Sequence, residues 1–402
     1  MPPAAVARYY AYKAVNAVEL YRPIMYLYFA SAGLSFFQIT VLEAAYNVTT
    51  VLGEVPTGYL GDRLGRRNGL VLGTTIIALT LAGIGFVGRL DESLAFPAFL
   101  ALYVCWSLGY TFRSGTEDAW LYDSLVEDGD SFSELRGRGE SLALGAGVVA
   151  AVAGGYLASV DLAVPFYVAA AVTFVGALIL LTVDDDRADA DNPSDGTTLS
   201  VSLDAVRVAF SDRRLRAFIL LYYVLFSAAT YLAFIFLQPR FEAVVGGYGL
   251  GDVETLLGWY YAIISLTAAG FTYRAGWIRE RVGLRLWFLG VPVGVGLLLV
   301  GQWLLPVSAF LAFVLVRGLS EATRVFAGQY VNDRIDAVGR ATTLSAMSMV
   351  SGLTVIPFQL GSGLLSDAVS PGGALAAAGG LLAVGAIAVH LVVAPVATEA
   401  TG

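Results

Sequence analysis

The chain has 402 residues, 57% of them hydrophobic and 14% charged, with a mean hydropathy of +0.72. A soluble domain runs nearer to half apolar and a quarter charged, so the composition excludes an ordinary soluble protein and indicates a membrane protein. The net charge of −8, the single cysteine (Cys105) and the single histidine (His390) leave no material for a disulfide framework or a convergent metal site. No metal, cofactor or nucleic acid is therefore expected.

The N-terminal stretch MPPAAVARYYAYKAV has no small-residue cleavage site and runs on into apolar sequence, so no removable signal peptide is read there. A bilayer core needs about 20 apolar residues per helix. Runs of that size lie at about 15–34, 38–60, 68–88, 95–123, 138–159 and 163–183. A polar stretch at about 184–215 separates them from further runs at 216–238, 253–275, 286–304, 307–332, 341–364 and 373–394. The expected fold is an all-α membrane protein of twelve transmembrane helices in two six-helix bundles. Its parts are an N-terminal bundle (1–183), a cytoplasmic linker (184–215) and a C-terminal bundle (216–402).

The linker holds Asp184, Asp185, Asp186, Asp189, Asp191 and Asp195 among Ser, Asn, Gly and Pro. Without apolar periodicity such a run reads as a solvated loop rather than a metal–diphosphate site. Its end, SLDAVRVAFSDRRLRAF, reads as a short amphipathic helix lying along the membrane surface. With the N-terminus placed in the cytoplasm, 19 of the 24 basic residues fall on the inner side, and only Arg89 and Arg240 fall outside. That asymmetry puts both termini inside.

The halves repeat one another. GYLGDRLGRR (58–67) aligns with GWIRERVGLR (276–285), pairing Gly58, Arg63, Gly65 and Arg67 with Gly276, Arg281, Gly283 and Arg285. RSGTEDA (113–119) aligns with RGLSEAT (317–323), pairing Arg113 with Arg317 and Glu117 with Glu321. The pattern indicates duplication of a six-helix unit.

GYLGDRLGRRNGL resembles the loop signature of the major facilitator superfamily, G-x-L-a-D-r-x-G-r-k/r, which joins its second and third helices. The resemblance implies two bundles related by a pseudo-two-fold axis along the membrane normal. It also implies a cytoplasmic gate built from Gly58, Gly61, Asp62, Arg63, Gly65, Arg66 and Arg67. There the family's aspartate braces the bundles against the start of helix 11, which here is RATTLSAM from Arg340. Arg113 is similar to the arginine of a second motif, R-x-x-Q-G, of the family's drug/proton antiporters, although Thr116 and Glu117 replace its Gln and Gly. GAGVVAAVAGG (145–155) resembles their glycine-rich helix 5, with Val152 in the proline's place, and equally serves plain close packing.

Charges inside a membrane are costly unless they pair or face water, so they are the site candidates. In helix 4, Arg113 and Glu117 stand four apart on one face and are expected to pair. Asp118 points about 100° away, needs another partner, and is the expected proton carrier. Arg317, Glu321 and Arg324 form one stripe on helix 10. Glu54 lies two residues before Pro56, which can distort its helix. Glu43 is expected to reach solvent at the outer end, and Glu19 and Arg22 to form a pair at the inner end of helix 1. The aromatic residues Tyr26, Phe29, Phe36, Phe37, Trp106, Trp120, Tyr222, Tyr223, Tyr231, Trp259 and Tyr260 are read mostly as lipid-facing or interfacial.

The expected activity is secondary transport of a small molecule across the cell membrane by alternating access. It is read as proton-coupled efflux of hydrophobic or cationic compounds by a bilayer-embedded monomer. Proton-coupled uptake of an anionic solute stays open beside it, as do an intramembrane enzyme and a transporter-like receptor. No G-x-x-x-x-G-K-[ST] loop is present, which disfavours transport driven by ATP.

Overall fold

The computed structural model describes residues 3–114, 116–125, 132–183, 212–333 and 340–393, with the side chains of residues 3, 5, 62, 119, 122–125 and 340–350 outside that description. The acidic run at 184–195 and the first part of the expected amphipathic helix lie outside it as well. Among the described residues every regular element is a helix. In chain order they are α1 (Pro3–Asn16), α2 (Met25–Ser31), α3 (Phe36–Leu64), α4 (Arg66–Val87) and α5 (Glu92–Arg113). Next come α6 (Thr116–Leu125), α7 (Phe132–Ala158), α8 (Val164–Leu181), α9 (Arg213–Tyr248) and α10 (Val253–Tyr273). The last are α11 (Ala275–Val282), α12 (Leu284–Leu304), α13 (Ala309–Asn332), α14 (Arg340–Ala368) and α15 (Pro371–Val392).

Among the described residues, seven helical stretches can cross a membrane by length and composition: α4, α5 through to Asp118, α7, α8, α9, α12 and α15. Large apolar side chains stand exposed along them, Leu79 (66%), Val149 (69%) and Val384 (67%) among them. Such faces are unsuited to water and suited to acyl chains. Three expected boundaries change. The first run, 15–34, is two helices with a non-helical segment between them, and the fourth breaks at Ser114. The seventh begins earlier than expected, where the Asp212 carboxylate accepts from the N–H groups of Arg214 (2.7 Å) and Leu215 (2.8 Å). A side-chain acceptor at that position fixes the helix start.

Two compact units divide the chain. One comprises Met1–Leu34, Val41–Ser194 and Gly251–Ala262, and the other Ser35–Thr40, Asp195–Leu250 and Ile263–Gly402. In the first, Gly155 of α7 and Gly258 of α10 meet backbone to backbone, so that a Cβ on Gly155 would lie 2.6 Å from the Glu254 carbonyl. In the second, the Asp367 carboxylate accepts from the N–H groups of Phe36 (2.8 Å) and Phe37 (3.0 Å).

The repeat seen in the sequence is present in the backbone. Gly65, between α3 and α4, has φ 83° and ψ 147°, and Gly283, between α11 and α12, has φ 75° and ψ 148°. A Cβ is strained there, so the same sharp re-entry into a helix demands glycine in both halves. Each loop also carries an arginine over a ring four residues earlier. Arg63 lies 4.5 Å from the Tyr59 centroid and Arg281 lies 5.6 Å from that of Trp277.

Gly65→Ala and Gly283→Ala should each lower stability by about 1–3 kcal/mol, the usual cost of a strained backbone position. Gly58→Ala and Gly276→Ala, where a Cβ meets nothing within 4 Å, should be neutral or slightly stabilising. Thermal unfolding of the four purified variants in detergent checks this, and equal shifts in all four would refute it.

Candidate functional site

The first span cannot stay helical. Pro23 has no N–H and disfavours the helical conformation at Arg22. Helix α1 therefore ends at Asn16 and α2 starts at Met25, with tight turns between them. Val18 N–H donates to the Val15 carbonyl (3.2 Å), Arg22 N–H to Glu19 (3.0 Å) and Ile24 N–H to Tyr21 (3.1 Å). Such irregular backbone survives at membrane depth only where protein or a wet cavity surrounds it. Helix α7 supplies the protein. Its Gly154 lies so close to the Leu20 carbonyl oxygen that a Cβ there would overlap it. The glycine-rich run of α7 thus makes room for the unwound segment.

That segment carries a charge pair. Arg22 donates through Nε (2.8 Å) and Nη2 (2.7 Å) to Glu19 Oε2, and the Tyr21 hydroxyl donates to Oε1 (3.3 Å). The side chains are 35% and 40% exposed, so the pair is reachable. An aromatic wall stands beside it. The Tyr21 ring lies 5.4 Å from Trp106 and 5.5 Å from Phe166, and Trp106 also meets Tyr103 (5.5 Å) and Tyr46 (6.3 Å). Tyr110 extends the wall at 6.1 Å from Tyr46 and is 45% exposed. Most of the aromatic residues expected at the lipid boundary are buried or half-buried instead; only Trp259 of that set is exposed. In mutual edge contact rings gain more than they do against acyl chains.

Glu43 does not reach solvent. It is 6% exposed, and its Oε1 accepts from the hydroxyls of Tyr26 (3.0 Å) and Tyr103 (3.2 Å). The sequence places it eight residues into a long helix, a position that hydropathy cannot distinguish from an outer end.

The helix-4 expectations change most. The break after Arg113 separates it from Glu117, so the four-residue spacing no longer sets a common face. Glu117 pairs instead with Lys13 of α1 at 2.6 Å, and Lys13 also meets Glu140 of α7 at 2.8 Å. Asp118 is not alone either: Arg136 lies 2.9 Å from it. Arg136 is thus the partner from another helix that Asp118 was expected to need. Arg113 keeps an Nε without a hydrogen-bond partner among the described residues. Lys13 is the residue that pattern reading passed over, although it is the only lysine among 24 basic residues.

In the second unit the helix-10 stripe holds. On α13, Glu321 bridges Arg317 at 2.9 Å and Arg324 on its other side, with Glu321 15% exposed and the arginines open. Glu54 stands exposed on α3 and makes no ion pair with a described residue. Of the gate residues, Gly58 and Arg63 are exposed, Gly61 is buried, and Arg66 and Arg67 are half-buried. The brace expected between Asp62 and the start of α14 lies outside the described side chains.

The sequence model of the Major Facilitator Superfamily matches residues 14–352. An uncharacterized MFS-type transporter, YxaM of Bacillus subtilis (strain 168), is 23% identical over 267 residues, which are 65% of this chain and 63% of that one. The match thus spans under two thirds of that relative. Among solved structures, the nucleoside transporter NupG has a TM-score of 0.80 at 15% identity, covering 97% of this chain and 99% of its own. A bacterial homologue of the iron transporter ferroportin has 0.71 at 16% identity (96% and 98% covered), and a D-xylose–proton symporter 0.61 at 14% (95% and 96%). These likenesses show the fold.

Lys13→Met should cost about 2 kcal/mol, because it strands a mostly buried carboxylate that a charged hydrogen bond now satisfies. Adding Glu117→Gln should restore part of the loss. Thermal unfolding of the single and double variants measures the coupling. Unchanged stability in Lys13→Met would instead favour the Arg113–Glu117 pairing expected from spacing.

Proposed function

The chain belongs to the major facilitator superfamily, and from that premise we propose that it is a secondary transporter carrying a small solute by alternating access. The observation that carries the reading is the unwound segment Ala17–Ile24 with its reachable Glu19–Arg22 pair beside Trp106. Interrupted helices build transporter sites because they free backbone groups and hold polar side chains at membrane depth. The frame proposed with it is twelve spans in two bundles, in the cell membrane with both termini cytoplasmic. The seven spans above, the long helices α3, α10, α13 and α14, and the interrupted first pair support that count. Asp62, with its neighbours from Gly58 to Arg67, stays the proposed inner brace.

The site's chemistry narrows the solute. Glu19 and Arg22 neutralise one another, so the pair offers acceptors and donors without a net charge. Trp106 and its tyrosines offer flat apolar surface. A neutral solute with hydroxyls and a planar ring satisfies both, and nucleosides are that class. Support comes from these residues, since the likeness to a nucleoside transporter rests on 15% identity.

Efflux of a hydrophobic or cationic compound is the second reading. Glu54 favours it, an exposed acid on α3 beside Leu52 and Val55, each 70% exposed. Uptake of an anion has less support, because Arg22 is closed on Glu19 while Arg317 and Arg324 share Glu321.

Purified protein in liposomes preloaded with unlabelled uridine should take up tritiated uridine by counterflow. Trp106→Ala should raise KM about tenfold, since a base stacked on an aromatic ring is worth about 1–3 kcal/mol. Counterflow of tetraphenylphosphonium without any of uridine would overturn the nucleoside class and move the support to the second reading.

A further inference from the structure

Helices α1 and α8 of the first unit enclose a surface groove of about 390 Å³ that shares no lining residue with the unwound segment. Its walls are Ala7 and Ala11 on one side and Val175, Leu178 and Ile179 on the other. Arg8 and Thr182 stand together at the end where α8 stops. The two alanines lie one turn apart on one face of α1, and their short side chains leave the space open. Val175 and Leu178 are each 47% exposed beside it. Farther from Arg8 the helices close on one another, where a Cβ on Gly176 would meet Val15 at 3.4 Å. From Val175 to Thr182 the groove runs about 10 Å, at 1.5 Å per helical residue.

Water does not suit this space. A volume of that size would take about a dozen molecules at roughly 30 Å³ each, and each needs two to four polar partners. The walls are alanine and branched aliphatic side chains. Thr182 is already satisfied: its hydroxyl donates to the Ile179 carbonyl (2.7 Å) and its own carbonyl accepts from Nη1 of Arg8 (2.8 Å). Hydrocarbon fills such a groove without leaving a polar group unmet.

The charged end is the specific part. The last carbonyls of a helix have no N–H of their own helix to accept, and Arg8 meets that need at Thr182. The bond fixes the guanidinium beside the mouth of the groove. It also leaves the edge formed by Nε and Nη2 without a hydrogen-bond partner among the described residues. That edge is a planar fork whose spacing matches two oxygens of a phosphate. An arginine at the end of a spanning helix stands at headgroup level, where lipid phosphates lie.

We propose that the groove between α1 and α8 is a phospholipid site, with one acyl chain along Ala7, Ala11 and Leu178 and the phosphodiester of the same molecule on Nε and Nη2 of Arg8. The sequence runs on from Val183 into Asp184, Asp185 and Asp186. Carboxylates so near in the chain disfavour a headgroup with more than one negative charge, and a phosphodiester carries one. Binding needs only the membrane setting and not the transport of any solute.

Native mass spectrometry of the purified full-length protein, titrated with dioleoylphosphatidylglycerol in detergent micelles, reads the site directly. Wild type should retain one lipid more tightly than the rest. Arg8→Gln should weaken that first binding about fivefold, the worth of one basic side chain near lipid phosphate. Ala11→Phe, which fills the groove and keeps Arg8, should weaken it as well. Arg138→Gln should leave it unchanged, because that exposed arginine is paired to Glu134 within its own helix. Dioleoylglycerol, with the same chains and no phosphate, should bind wild type and Arg8→Gln equally. Glycerophosphoglycerol, the headgroup without chains, should not compete. An unchanged first affinity in Arg8→Gln overturns the proposal, and is the result expected if the neighbouring aspartates hold the guanidinium. Equal weakening by Arg138→Gln overturns it in favour of general attraction to basic residues. Competition by glycerophosphoglycerol, with full lipid affinity in Ala11→Phe, overturns the groove and leaves a site for free phosphate esters. Should Ala11→Phe fail to fold, Ala7→Leu fills the same wall and is read in the same way.

Discussion

A backbone inside a membrane has to satisfy its own polar groups, and this chain leaves the helix at Ala17–Ile24 all the same. The choices around that segment follow from the constraint. Tight turns recover part of the hydrogen bonding. A glycine-rich helix has to come close enough to seal the rest, which is why Gly154 meets the Leu20 carbonyl with no room for a side chain. The Tyr21 ring of the segment packs in turn against Trp106 and Phe166. An uninterrupted helix would have needed none of this, and would have placed Glu19 and Arg22 one turn apart on its outer surface.

The same low dielectric makes charge placement cooperative. A lone acid at this depth is costly, so acids and bases arrive together and each pair constrains the next. Lys13 reaches Glu117 and Glu140 at once and thereby ties α1 to α6 and α7. Arg136 is then left to hold Asp118. Loop ends rich in glycine can be placed beside such clusters because the pairs hold the geometry, not local helix propensity.

What could be read in the sequence divides along the range of the forces involved. Local rules carried far. Gly65 and Gly283 were legible as a repeated turn because a positive φ has one chemical solution, and the Arg317–Glu321–Arg324 stripe was legible because α13 stays helical throughout. Rules of spacing failed where the helix itself failed. Arg113 and Glu117 have the separation of a pair, yet the helix ends at Arg113 and Glu117 hydrogen-bonds a lysine 104 residues away. The burial of Glu43 was hidden for a related reason. Its partners, Tyr26 and Tyr103, lie on two other helices, and no window along the chain contains all three.

Duplication sharpens the contrast between the halves. Counting on by 218 residues, the offset that carries Gly65 to Gly283, brings Gly33 to Gly251, both with positive φ, and Arg22 to Arg240. The two arginines have diverged in company. Arg22 follows a glutamate by three residues and sits in unwound chain. Arg240 lies in the unbroken helix α9, where its Nε donates to the amide oxygen of buried Gln302 at 2.6 Å. An amide satisfies a guanidinium without cancelling its charge and does not titrate. At this shared position, then, one half keeps an ion pair that a ligand can reach, and the other holds its arginine fixed. Glu43, the buried acid that accepts from Tyr26 and Tyr103, belongs to the first half as well. A duplicated frame has in this way become chemically one-sided, with an open ion pair in the first half and an arginine held on an amide in the second.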